Sequence, residues 1–157
     1  MKIEFWVVGK TQFQYLNEGI AIYEKRMKKY LPFQTIILPD IKNAKKLTHE
    51  LIKEKEGKMI LDKLEQGDLL ILLDEKGETF TSEKFAAWLN QKLQHSARKI
   101  IFLVGGAYGF SEAVYQRAHQ KIALSSMTFS HQMVRLFFIE QFYRALTILK
   151  NEPYHHS

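Results

Sequence analysis

The sequence predicts an α/β fold: a mostly parallel sheet with helices on both faces. Two observations carry the prediction. Strand-like runs of β-branched and large apolar residues recur along the 157 residues, and segments with apolar side chains at helical spacing separate them. Those segments are long enough for the crossovers that parallel strands require. The composition agrees, because 46% apolar and 25% charged residues are the balance of an ordinary globular chain. A chain of this length buries enough surface for one domain, so a single domain over residues 1–157 is expected.

The first strand is expected at residues 3–8, where Glu4 interrupts an apolar stretch too short for a signal peptide or a membrane span. Leu16, Ile20, Tyr23, Met27 and Tyr30 follow at spacings of four, three, four and three, which lines them along one face of a first helix. A second strand is expected at residues 33–38. Leu47, Leu51, Leu61 and Leu64 frame a second, more charged helix, and the charged stretch 42–58 reads as a solvated face. The third strand, 69–73, is continuously apolar, as expected of a central strand covered on both sides. Ser82 reads as the N-cap of a third helix, with Glu83 in its first turn and Phe85, Trp88, Leu89 and Leu93 on its buried side. Strands at 100–104 and 122–124 flank a short helix that Ser111 and Glu112 start. The last helix spans residues 130–150 and is apolar on almost every side; Pro153 prevents its continuation.

The absence of cysteine excludes disulfides, thiolate zinc sites and a cysteine nucleophile, and it suits a cytoplasmic setting. His155 and His156 are adjacent, which does not make a metal site, and His49, His95 and His119 sit in polar helical stretches; no metal is expected. Neither a phosphate-loop motif nor G-x-G-x-x-G occurs, which argues against a kinase or a dehydrogenase. A formal charge of +6 and a pI near 9.4 favour a polyanionic partner through long-range attraction that salt weakens.

In an open α/β sheet, ligands bind beyond the carboxyl ends of the strands. Three of those ends carry unusual residues: Asp74-Glu75-Lys76-Gly77, Gly105-Gly106-Ala107-Tyr108-Gly109 and Ser125-Ser126-Met127-Thr128-Phe129. The glycines permit close approach of backbone to a ligand, although a tight strand-to-helix turn explains them equally. On the last helix His131 and Arg135 share a face, as do Glu140 and Arg144. Charges amid Leu136, Phe137, Phe138 and Ile139 are costly unless they have a function or further partners. A helix apolar all round in so small a domain suggests a second surface to cover, and a symmetric homodimer is the commonest answer. Its contact would bring residues of one subunit beside the cofactor crevice of the other.

Taken in order, these segments and others resemble a known family. The marks are Val8-Gly9-Lys10, Lys55-Glu56-Gly57, Leu73-Asp74 with Gly77, and Gly105-Gly106 with Gly109. They continue with Leu124-Ser125-x-Met127-Thr128, His131-Gln132-x-x-Arg135, Glu140-Gln141-x-Tyr143-Arg144-Ala145 and Tyr154-His155. Each is weak alone; their order and spacing resemble the small SPOUT-type ribosomal RNA large subunit methyltransferases of the H type, over essentially the whole chain. Ser130 departs from the proline common there and still offers an N-cap.

The resemblance implies a C-terminal trefoil knot, which general topology rules would not suggest. It implies S-adenosylmethionine as cofactor, bound by Leu73, Gly105, Gly106, Leu124, Ser125, Ser126, Met127, Thr128 and Phe129. The implied reaction is methylation of N3 of a pseudouridine in large-subunit ribosomal RNA, with the ribosome as partner and no membrane. That nitrogen carries an imide proton, so a general base is useful and close alignment matters. The catalytic candidates are His155 or Glu140 as base, Arg144 to orient the RNA, and Tyr154 to hold or stack on the nucleobase. His131 and Arg135 are the RNA-binding candidates. The alternatives are a transfer RNA methyltransferase of the same fold and a non-catalytic ribosome-binding assembly factor.

Overall fold

Strand and helix alternate in the structure, a computed structural model that describes residues 2–95 and 99–156. The order is β1 (Lys2–Val8), α1 (Gln14–Met27), β2 (Phe33–Leu38), α2 (His49–Lys63), β3 (Leu69–Thr79), α3 (Ser82–His95), β4 (Lys99–Val104), α4 (Glu112–Arg117), β5 (Gln120–Ala123) and α5 (Met133–Leu149). A 3-10 turn at Ala44–Lys46 precedes α2.

All strand pairings are parallel, in the order β2-β1-β4-β3-β5. Side chains alternate across each strand, so Phe5, Ile71 and Phe102 enter one core with α1, α3 and α5, while Trp6, Leu72 and Leu103 enter another with α2 and α4. Burial on both faces is why β1, β3 and β4 read as near-continuous apolar runs. The first core is aromatic: Phe138 of α5 packs on Phe5 and Phe102 with ring centroids 4.8 and 5.0 Å apart. α5 itself lies against both α1 and α3.

Several boundaries differ from the sequence reading. Tyr30 lies beyond the end of α1, and its hydroxyl donates to Glu152. Leu47 and Leu64 fall outside α2 and Leu51 is exposed; the buried side of α2 is Ile52, Glu56, Gly57 and Ile60, so the charged stretch 42–58 is not solvated throughout. Thr81, not Ser82, caps α3, because its hydroxyl accepts the Lys84 N–H while Ser82 begins the helix and donates to Gln141. α5 starts at Met133, whose N–H is taken by the Ser130 hydroxyl across a preceding turn. His119 is not helical; it sits between α4 and β5, where its Nδ1 accepts the Leu70 N–H.

β3 also runs past its apolar stretch. Leu73 pairs with Ile122 of β5, residues 74–77 loop out, and Glu78 returns to the same partner. Gly77 makes the return possible, since a Cβ there would lie 2.6 Å from the backbone of Lys121 and Ile122.

Candidate active site

Because β3 lies between β4 and β5, the loops after these three strands meet beyond their carboxyl ends. They enclose a cavity of about 350 Å³, a volume within the range of small-molecule sites. Leu73, Gly105, Gly106, Leu124, Ser125, Met127, Thr128 and Phe129 line it, together with Asp74, Glu75, Tyr115 and His131. Ser126, the remaining cofactor candidate, is exposed and stands outside the lining. Two hydrogen bonds hold the walls together: Thr128 donates to Glu75 at 2.6 Å, and Tyr115 donates to Asp74 at 2.5 Å. Apolar side chains, glycine backbone and carboxylates in one cavity suit a ligand with a flat heterocycle and a positive charge. His131 stands half-buried at its edge, its pKa held below the ordinary value by burial and by Arg135, with Asp40 opposing. It is therefore a neutral imidazole at neutral pH.

Glu140, Arg144, Tyr154 and His155 come together in a second place. Glu140 Oε2 accepts from Arg144 at 2.8 Å and from the Tyr154 hydroxyl at 2.7 Å, while Gln141 donates to its other oxygen. The Arg144 guanidinium lies over the Tyr154 ring, 4.9 Å from its centroid, and Nη1 is 3.0 Å from His155 Nδ1. Guanidinium only donates, so His155 Nδ1 is the acceptor, and the ring proton sits on Nε2, which donates to Glu83 at 2.6 Å. The Tyr154 phenol pKa is raised by burial and by its bonds to Tyr23 and Glu140. These are the further partners that charges on an apolar helix require. Arg144 Nε is nonetheless buried with no hydrogen-bond partner among the described residues.

The four residues of the cluster do not line the large cavity. Glu140 lies about 9 Å along α5 from Val134, the helix residue that lines the cavity, at about 1.5 Å per residue. A smaller cavity of about 190 Å³ lies between the two places, sharing Leu124 and Phe129 with the first and bordered by Phe137 and Gln141.

Arg135 corrects an expectation. It is 0% exposed, and its guanidinium donates to the carbonyls of Val8 and Gly9, both at 2.8 Å, to Thr11 and to the His131 carbonyl. Gln132 beside it bonds the backbone of Lys10 and Gln12. The pair fastens the start of α5 to the end of β1, and Arg135 has no surface to offer RNA. Sequence reasoning missed Tyr23 and Glu83, which read as a core residue and a first-turn charge, because their partners lie 131 and 72 positions away. Among the described residues no group of His, Asp and Glu is placed to hold a metal, and no helix is long and apolar enough to cross a membrane.

Comparison with known proteins agrees with this geometry. The family model described as "Predicted SPOUT methyltransferase" matches residues 1–155. The protein named ribosomal RNA large subunit methyltransferase H in Parabacteroides distasonis is 56% identical over 157 residues, all of both chains. Those of the same name in Cytophaga hutchinsonii and Flavobacterium johnsoniae are 55% and 53% identical, covering 99% and 100% of this chain and 100% of their own. Full-length similarity of this strength, on a parallel sheet with its loops gathered at one end, shows that the chain belongs to the SPOUT methyltransferase family.

Proposed function

We propose that this protein methylates N3 of a pseudouridine in large-subunit ribosomal RNA, on the assembled ribosome in the cytoplasm, using S-adenosylmethionine and acting as a homodimer. One observation carries the reading: a cavity of strand-end loops and a polar cluster on α5 coexist in a chain whose relatives are named ribosomal RNA large subunit methyltransferase H. When bound, S-adenosylmethionine supplies an electrophilic methyl on a sulfonium. Leu73, Leu124 and Phe129 would hold its ring, and Asp74 and Glu75 would attract its positive charge.

The cluster handles the nucleobase. Tyr154 keeps its proton, since burial and its bonds raise its pKa, so it holds or stacks on the base and does not deprotonate it. His155 Nδ1 takes the N3 proton once Arg144 turns to the RNA, and Glu83, facing Nε2, stabilises the resulting imidazolium. Glu140 anchors Arg144 and Tyr154.

Separation of cluster and cavity is the reason to invoke two copies. Phe137 and Met127, 40% and 75% exposed beside the smaller cavity and the large one, supply an apolar surface for a two-fold contact. That contact would set the cluster of one subunit at the cavity of the other. The trefoil knot belongs to the same reading, supported by the loop after β5 reaching back to the 74–77 excursion through Thr128 and Glu75.

Labelled S-adenosylmethionine, offered separately with ribosomes lacking the modification, free subunits and transfer RNA, tests the function. Transfer to ribosomes is expected. Transfer to transfer RNA alone establishes the other methyltransferase reading, and ribosome binding without transfer establishes an assembly factor.

A further inference from the structure

The Lys55-Glu56-Gly57 segment lies outside the cluster and outside the lining of the large cavity, yet α2 reaches that cavity from behind. Gly57 lets α2 lie against the start of α4, where a Cβ would strike the Ser111 hydroxyl. This close approach carries Glu56, 8% exposed, onto Gly106. A Cβ on Gly106 would stand 2.6 and 2.7 Å from the two Glu56 oxygens, so the carboxylate lies directly against the Gly106 backbone, whose N–H favours its charged form. On the far side of Gly106 is another cavity, of about 280 Å³, bordered by Asp40, Glu56, Tyr108 and His131. The wall between the two cavities is thus a stretch of glycine backbone seated on one buried carboxylate.

We propose that Glu56 is a positioning residue for the methyl-donor cavity, fixing the Gly105-Gly106 backbone through the Gly106 N–H. The proposal rests on the reading of that cavity as the donor site. It gives the glutamate and both glycines a common purpose: Gly57 admits the helix, Gly106 leaves room for the carboxylate, and Glu56 sets the shape of the wall.

The surroundings of Glu56 make this contact sensitive to pH. Asp40 faces it from the β2–α2 connection, while His131 and Arg135 face Asp40 from the start of α5. Lys45 lines the same cavity, and Tyr108, stacked on His49, closes its edge. Burial and then Asp40 push the Glu56 pKa up to about 7, with the Gly106 N–H partly opposing. The ionised carboxylate, the stronger acceptor, therefore predominates only above neutral pH.

Calorimetric titration with S-adenosylhomocysteine tests the proposal on the full-length protein and on E56Q and D40N, from about pH 6 to about pH 8.5. Wild-type affinity should rise about fivefold across that range, the difference between a neutral and a charged acceptor. E56Q keeps an acceptor of the same shape and should bind with this dependence removed; any part due to His131 persists in E56Q and is subtracted. D40N should move the midpoint to lower pH without changing affinity at the alkaline end. Equal pH profiles for wild type and E56Q, both folded by thermal melting, would overturn the proposal, as would an unmoved midpoint in D40N. Failure of the wild type to bind at any pH would instead overturn the donor-site reading.

Discussion

Arg135 and Arg144 lie on the same helix, nine positions apart, and their surroundings give them opposite tasks. Arg135 donates to two strand-end carbonyls, Thr11 and its own helix, so it completes the backbone where β1 stops. R135M leaves the Val8 and Gly9 carbonyls without this donor and should cost about 3 kcal/mol, lowering Tm by about 10 °C. R135K should restore little, because one ammonium does not span the fork of acceptors; thermal denaturation of both variants checks this. Arg144 instead sits in a cluster with an unsatisfied Nε and a histidine whose free lone pair it covers. H155Q should keep S-adenosylmethionine affinity and lower the single-turnover methylation rate by about 100-fold, the value of a lost general base. A parallel loss of cofactor affinity would move His155 out of the proton path.

Glu140 and Arg144 were legible as a pair because they share a helix face, whereas Tyr154 and His155 joined them only through the family resemblance, and the contacts that bind the four together come from the fold. The role of Arg135 was not legible. Spacing of four places His131 and Arg135 on one face, but nothing local says whether that face meets solvent or the carboxyl end of a strand 127 positions earlier. Glu56 stood in the sequence only as part of the Lys55-Glu56-Gly57 mark; its seat against Gly106 was not legible, because the apolar neighbours in that charged stretch pointed to the wrong side of α2.

At the scale of elements, the three strand-end loops were visible as glycine and hydroxyl clusters after apolar runs, and they do form the cavity. Cap positions slipped by one where Thr81 and Ser82 offer equivalent hydroxyls in succession. The return of β3 to β5 had no sequence signal, since the atoms that require Gly77 belong to a strand more than forty positions later. G77A should push β3 from β5 at that point, open the wall that Asp74 and Glu75 form, and weaken S-adenosylhomocysteine binding by at least tenfold while leaving the far-UV helix signal in place. Unchanged affinity in G77A would show that the 74–77 excursion does not shape the cavity.

For the whole molecule, alternation of strand-like and helix-like segments was enough for the α/β class and for helices on both faces, because parallel neighbours demand crossovers. Strand order was beyond reach: the crossover from β4 passes over β3 to reach β5, and nothing in its composition says so. A dimer in which the cluster of one subunit serves the cavity of the other makes a quantitative prediction. Mixed after separate purification and exchange, a cavity-blocked variant, G106V, and a cluster variant, H155Q, each have almost no activity as pure dimers. Together they should recover about a quarter of wild-type activity, since half of the dimers are mixed and each mixed dimer retains one intact site of two. No recovery in demonstrably mixed dimers would place the whole site within one subunit.

The identity of the methylated atom defines the proposed reaction. Ribosomes from cells lacking the activity, incubated with the protein and labelled S-adenosylmethionine, can be digested to nucleosides and oligonucleotides and mapped by mass spectrometry. One methyl on N3 of a single large-subunit pseudouridine is expected; a methyl on another atom or another RNA, or none at all, would rule out the proposed reaction.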